Sequence, residues 1–271
     1  MSFFQKLTEA VSKNNSLLCV GLDPDPQQMP ANTGILEFNR AIIDATRDLV
    51  CAYKLNFAFY EAAGAEGFEI LKSTVDYIAD DIPVIGDAKR GDIGNTAKAY
   101  ARSIFSNLGF DAATVNPYLG FDSIEPFIQY RDRGVFILCR TSNPGAADFQ
   151  GLRLAEEPGS LFEVVAEKAS RWNSNNNIGL VVGATYPEEL QLIRQRHPDV
   201  PLLIPGVGAQ GGDLAAAVSY GIDARGEGAI INSSRQIIYA SPGDDFAPAA
   251  ARTAAELRHR INQHRASAKS R

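Results

Sequence analysis

Residues 83–96 read Pro-Val-Ile-Gly-Asp-Ala-Lys-Arg-Gly-Asp-Ile-Gly-Asn-Thr. An apolar run ends on Asp87-x-Lys89-x-x-Asp92 and passes into a glycine-containing turn. Strand tips often carry charge, so one reading is a solvated turn in which Asp92 caps a helix starting near Gly94. The other is an ammonium group held between carboxylates. Whichever holds, a buried strand followed by a turn and a helix is the unit on which the fold is decided.

The unit recurs along the chain. Buried strands are expected at 16–23 (SLLCVGLD), 51–58 (CAYKLNFA), 83–89 (PVIGDAK), 112–116 (AATVN), 134–141 (GVFILCRT), 178–185 (IGLVVGAT), 201–208 (PLLIPGVG) and 228–234 (GAIINSS). These runs are continuously apolar, as parallel strands covered on both faces require. Helical spacing lies between them, for example at 35–50 and 160–172. Strand–helix alternation repeated eight times predicts a (β/α)8 TIM barrel. No shift in composition marks a linker, so the barrel is expected to occupy 1–271 as a single domain. An amphipathic N-terminal helix should open it, and a C-terminal helix after Asp245 should close it. The longest irregular stretch, 142–159, reads as a lid or a partly ordered insertion.

A hydrophobic content of 45% supplies ample core, and a formal charge of −6 argues against nonspecific nucleic-acid binding. No apolar run approaches the roughly 18 residues of a membrane span, and the first residues lack a signal-peptide pattern. Cys19, Cys51 and Cys139 sit inside apolar runs without CxxC spacing, as expected for reduced thiols of a cytoplasmic protein. His197, His259 and His264 fall in a turn or the polar C-terminal helix, which speaks against a histidine-dependent mechanism.

In this architecture the active site forms where strands end. Side chains alternate along a strand, so Asp87 and Lys89 share a direction, as do Lys54 and Asn56. Facing inward, they crowd charge at the barrel mouth, with Asp92 available from the loop. An isolated buried charge is costly, whereas an alternating Lys/Asp array is tolerable. Loops after strands seven and eight commonly cradle phosphate. Here they carry PGVGAQGGD (205–213), with Gly208 and Gln210, and then Ser234 and Arg235. Arg235 offers a planar fork matched to phosphate oxygens.

The DAKRGDIGNTA wording resembles the orotidine 5′-phosphate decarboxylase family, in its longer bacterial branch. The similarity extends through VGLDPDP (20–26), KLNFAFYE (54–61), RTSNPG (140–145), VVGAT (181–185), PGVGAQGGD and NSSRQIIYA (232–240). The resemblance implies conversion of orotidine 5′-monophosphate to UMP and CO2, with no metal or organic cofactor. It implies Lys89 as proton donor, with Asp87 beside the substrate carboxylate and Lys54 and Asp92 completing the array. It further implies Asp23 as a ribose contact, Ser142 as a contact to the pyrimidine edge and Pro205 as lining of the base pocket. Asn56, Ile93 and Thr96 join the substrate-binding set. Asp92 and Thr96 are expected to reach a neighbouring subunit's site, making a homodimer. Arg90-Gly91 departs from the common branch and bears on the loop carrying Asp92. Three rivals remain at this level: a metal-dependent phosphosugar lyase or synthase sharing Asp-x-Lys-x-x-Asp, a Schiff-base aldolase, and a phosphate-ligand-binding barrel without turnover.

Overall fold

The computed structural model describes residues 1–155, 159–207 and 211–269. The chain opens with α1 (Phe3–Asn14) and then alternates. β1 (Leu18–Leu22) leads to α2 (Ile35–Thr46), and β2 (Ala52–Asn56) to α3 (Phe57–Glu61) and α4 (Gly64–Tyr77). β3 (Val84–Arg90) leads to α5 (Gly94–Arg102), β4 (Ala112–Val115) to α6 (Phe121–Ile128), and β5 (Gly134–Arg140) to α7 (Leu161–Trp172). β6 (Ile178–Val182) leads to α8 (Pro187–Arg196) and β7 (Leu202–Ile204) to α9 (Leu214–Gly221). β8 (Ala229–Ser233) is followed by α10 (Arg235–Ile238) and α11 (Phe246–Lys269). The strands close in sequence order into an eight-stranded parallel barrel, with β8 returning to β1 through Leu18↔Ile231 and Cys19↔Asn232. The expected TIM barrel is therefore what the chain forms.

Burial on both faces explains the unbroken apolar strands: every residue of β1, β6 and β8 is buried. The same burial sets which way the polar exceptions face. Tyr53 in β2 is hydrogen-bonded to the Thr46 hydroxyl and the Ile43 carbonyl of α2, so it points out to the helical layer. Its neighbour Lys54 must then point into the barrel.

Helix starts follow local chemistry. Ser2 with Gln5 and Ser160 with Glu163 form capping boxes at α1 and α7. Pro187 occupies the first turn of α8, and the Asp213 carboxylate accepts from the Ala215 and Ala216 amides at α9. Phe3 of α1 packs edge-on against Phe136. It lies so close to Gly134 that a Cβ there would come within 2.5 Å of the ring. The closing helix α11 straps the outside of the barrel. Arg258 donates to the Asn14 and Asp48 carbonyls, Asn262 to Asn15 and Arg265 to Gly226.

The stretch after β5 has local structure of its own among the described residues. It carries a 3-10 turn at Pro144–Asp148 and an antiparallel bridge between Arg153 and Ser160. The three cysteines are buried and free, and burial pushes the Cys51 thiol up to about 12. His197 is buried, with its Nδ1 2.8 Å from the Ser170 hydroxyl. Among the described residues, no helix is long and apolar enough to cross a membrane.

Candidate active site

The C-terminal ends of the strands enclose a cavity of about 510 Å³. Its floor and walls bring together Asp23, Lys54, Asn56, Asp87, Lys89, Ser142, Pro205, Ser234 and Arg235, all anticipated from the sequence. Asp92, Ile93 and Thr96 do not line this cavity; Ile93 is 55% exposed and Thr96 is also exposed. Gly208 and Gln210 lie outside the described residues.

Charge alternates across the mouth. Lys54 Nζ lies 3.1 Å from Asp87 Oδ2 and 3.8 Å from Asp23 Oδ1, and Lys89 Nζ lies 2.7 Å from Asp87 Oδ1. The row Asp23–Lys54–Asp87–Lys89 holds two cations and two anions, so each buried charge has an opposite neighbour. Burial alone would raise the Asp87 pKa, but Lys54 and Lys89 outweigh it and hold the carboxyl well below its ordinary range. Burial likewise opposes the charge on Lys54. Asp23 and Asp87 overcome that opposition and raise its pKa. Both groups are therefore charged at neutral pH. Asp23 is held in place by the Asn56 amide, at 3.2 Å. The Asn56 side chain itself caps α3 through the Ala58 amide.

The backbone of β3 is distorted where the charge row sits. Pairing with β4 runs Ile85↔Ala112 and Gly86↔Ala113, then resumes only at Arg90↔Val115. The intervening residues form a bulge, a device that re-aims side chains near functional sites. Within it Lys89 adopts φ +47°, left-handed for a residue with a Cβ, at a cost of order 1–3 kcal/mol. Thr114 supports this conformation. Its hydroxyl accepts the Lys89 amide at 2.9 Å and donates to Asp87 Oδ1 at 2.9 Å.

Thr114 was not singled out from the sequence, although a lone hydroxyl inside the apolar run AATV was the available signal. Asn232 stands among the polar residues at the end of the eighth run, but the sequence assigned it no role in the site. It lines the cavity, is 7% exposed, and its Oδ1 has no hydrogen-bond partner among the described residues. Asp92 does not cap the following helix as one reading held. Ile93 occupies the N-cap position without a side-chain bond, and among the described residues the Asp92 carboxylate accepts from the Ile93 amide alone.

Loops after β5 to β8 complete the walls. Gln150 folds back on Thr141, accepting its amide at 2.8 Å and donating to its hydroxyl at 2.9 Å, which fixes the approach to Ser142. Gly183 permits that approach, since a Cβ there would lie 2.8 Å from the Ser142 backbone. Thr185 donates to the Ser142 carbonyl at 3.2 Å. After β7, Gly206 turns at φ +92°, and its carbonyl accepts from the Gly212 amide. Ser234 is anchored to the Gly21 carbonyl, and Arg235 begins α10 at the cavity edge. Tyr239 at the other end of α10 clasps the loop after β1. Its hydroxyl accepts from the Asp25 amide at 2.5 Å and donates to the Asp23 carbonyl at 2.9 Å. No group of His, Cys, Asp and Glu among the described residues is arranged to hold a metal ion. The space between Asp23 and Asp87 is filled by the Lys54 ammonium.

Comparison with known proteins places this geometry in context. Residues 16–249 match the model of the orotidine 5′-phosphate decarboxylase / HUMPS family. A protein of Dehalococcoides mccartyi (strain CBDB1) named orotidine 5′-phosphate decarboxylase is 56% identical over 268 residues, covering 98% of this chain and 99% of that one. A protein of the same name from Herpetosiphon aurantiacus is 55% identical over 259 residues, covering 93% of this chain and 95% of that one. Among solved structures, the Leishmania donovani OMP decarboxylase superposes with a TM-score of 0.86 at 44% identity, covering 98% of this chain and 99% of that one.

Proposed function

The chain belongs to the orotidine 5′-phosphate decarboxylase / HUMPS family, and from that premise we propose that it decarboxylates orotidine 5′-monophosphate to UMP without a cofactor. The observation that carries the reading is the Lys89 ammonium held against Asp87 inside the cavity, with Lys54 on the other side of that carboxylate.

The reaction breaks the bond between C6 and the carboxylate carbon. The electron pair stays on C6, CO2 departs, and a proton must arrive at C6. In this reading Lys89 delivers that proton and its charge stabilises the pair as it develops. Asp87, anionic because two cations flank it, faces the substrate carboxylate. Two like charges about 4 Å apart at an effective dielectric near 20 repel by roughly 4 kcal/mol, or about three powers of ten in rate. A demanding decarboxylation needs about 20 kcal/mol of help, so repulsion is a minor contributor. Preorganised charge around C6 and binding energy from the remote phosphate supply the rest.

Binding roles follow the cavity walls. Asp23 contacts the ribose, Ser142 the pyrimidine edge and Pro205 the base. Arg235 takes the phosphate with Ser234 and the loop bearing Gly208 and Gln210. Asn56 and Lys54 complete the inner wall. Asp92, Ile93 and Thr96, turned away from their own cavity, act in the site of a second copy within a homodimer. A metal-dependent relative would need an acidic ligand where Lys54 stands, and a Schiff-base mechanism would need an amine free of flanking carboxylates.

The test is a spectrophotometric assay with orotidine 5′-monophosphate in EDTA. Wild-type protein should turn over at full rate, and Lys89→Ala should lose activity while keeping its fold. Turnover of Lys89→Ala near the wild-type rate would remove the proton-donor role. Loss of wild-type activity in EDTA would favour the metal-dependent reading.

A further inference from the structure

Lys89 holds a left-handed backbone inside a bulge, and a conformation of that kind persists only where its surroundings over-determine it. Thr114 fixes the near side. The far side of the bulge is Arg90, the residue at which pairing with β4 resumes, its carbonyl accepting the Asn116 amide at 2.8 Å. The Arg90 side chain leaves the barrel and enters the helical layer. Its guanidinium carbon lies 5.6 Å from the ring centre of Phe57 on α3 and 5.1 Å from that of Tyr100 on α5. A further nitrogen is paired with Glu61, also on α3. One side chain thus bolts the end of β3 to two helices at once. A planar, weakly hydrated fork can engage two rings and a carboxylate together, which an aliphatic ammonium cannot do equally well.

We propose that Arg90 is a positioning residue for Lys89: by anchoring the end of β3 between Phe57, Tyr100 and Glu61 it holds the Lys89 backbone left-handed and keeps Nζ on Asp87. Arg90 does not itself line the cavity and acts only through its neighbour. The catalytic consequence rests on the decarboxylase reading above; the structural consequence does not.

The experiment compares Arg90→Met and Arg90→Lys with Lys89→Ala and the Lys89→Ala/Arg90→Met double variant. It measures kcat and KM for orotidine 5′-monophosphate, UMP affinity, and the crystal structure of each single Arg90 variant. Arg90→Met should lower kcat about 100-fold, the scale of an ångström misplacement, with KM and UMP affinity within about twofold of wild type. Its structure should show Lys89 at negative φ with Nζ withdrawn from Asp87. Arg90→Lys should lie between wild type and Arg90→Met. In the Lys89→Ala background Arg90→Met should lower the residual rate no further, because both changes act through one group. An Arg90→Met protein with wild-type kcat, or with Lys89 still at positive φ, overturns the proposal. Should Arg90→Met fail to fold, the Lys89 geometry and kcat of Arg90→Lys decide it. If wild-type protein does not decarboxylate the substrate, the functional reading falls, and the φ of Lys89 in the variants still decides what Arg90 does.

Discussion

Asp87 is the hinge of the charge array, taking hydrogen bonds from Lys54, Lys89 and Thr114. Its folded pKa is depressed, so its stabilising contribution is complete above the unfolded value near 3.9. That contribution fades as pH falls below that value toward the folded one. Lys54 has a raised pKa, so its contribution holds below about 10.4 and is lost only as pH rises through the folded value. Between these edges Asp87→Asn should cost about 3 kcal/mol, because it leaves the buried Lys54 ammonium short of a counter-charge. Urea unfolding of both proteins at pH 7 and pH 3 measures this. The gap should narrow at the lower pH, and a gap independent of pH would show that the carboxylate is not coupled to the lysines. The acids and amines of this cluster were legible because charged residues at the ends of apolar runs are conspicuous. Thr114 was not, since a hydroxyl inside AATV reads as core until β4 is laid beside β3.

At the scale of elements, the strands were legible because burial on both faces leaves an unbroken apolar signature. Their ends were not. The seventh run was read to residue 208, whereas pairing ends at Ile204, where the glycine-containing loop takes over. The helix read at 35–50 stops at Thr46. The bulge in β3 was invisible for a deeper reason: alternation within one strand cannot reveal a register set by its partner. Another feature of this kind is the clasp between α10 and the loop after β1. Arg235 and Tyr239 sit at opposite ends of α10, so the proposed phosphate contact and the Asp23 loop share one short rigid body. Tyr239→Phe should strip the Asp25 amide and the Asp23 carbonyl of their partner and destabilise the protein by about 1–3 kcal/mol. It should also raise KM several-fold through a loosened Asp23. Urea unfolding with steady-state kinetics checks both, and a stable variant with unchanged KM would deny the clasp a role in binding.

For the whole molecule, the loops after β3 and β4 lie side by side, joined by the Asn116–Arg90 hydrogen bond. They present Ile93 at 55%, Tyr118 at 80% and Leu119 at 49% exposure. An apolar rim of this kind beside Asp92 supports shared sites in a dimer. Lys89→Ala and Asp92→Asn, each inactive alone, should therefore complement when subunits are mixed and exchanged. Random pairing gives half mixed dimers with one intact site each, so about a quarter of wild-type activity should return. Mixtures that stay inactive after verified exchange would place Asp92 in its own subunit's chemistry. Nothing within one chain's strand pattern could have distinguished these cases, because Asp92 has the right spacing for either.

The seam between β1 and β8 has a consequence for biogenesis. Ser234 grips the carbonyl of Gly21 across 213 positions of sequence. At 5–20 residues per second on a ribosome, about 10 to 40 s separate the synthesis of the two partners. Asp23, Lys54, Asp87 and Lys89 all emerge early, yet the wall bearing Asn232 and Arg235 arrives last. A nascent polypeptide can therefore hold all four charges of the array and still have nowhere to seat a nucleotide. The onset of turnover then times the moment the cylinder shuts.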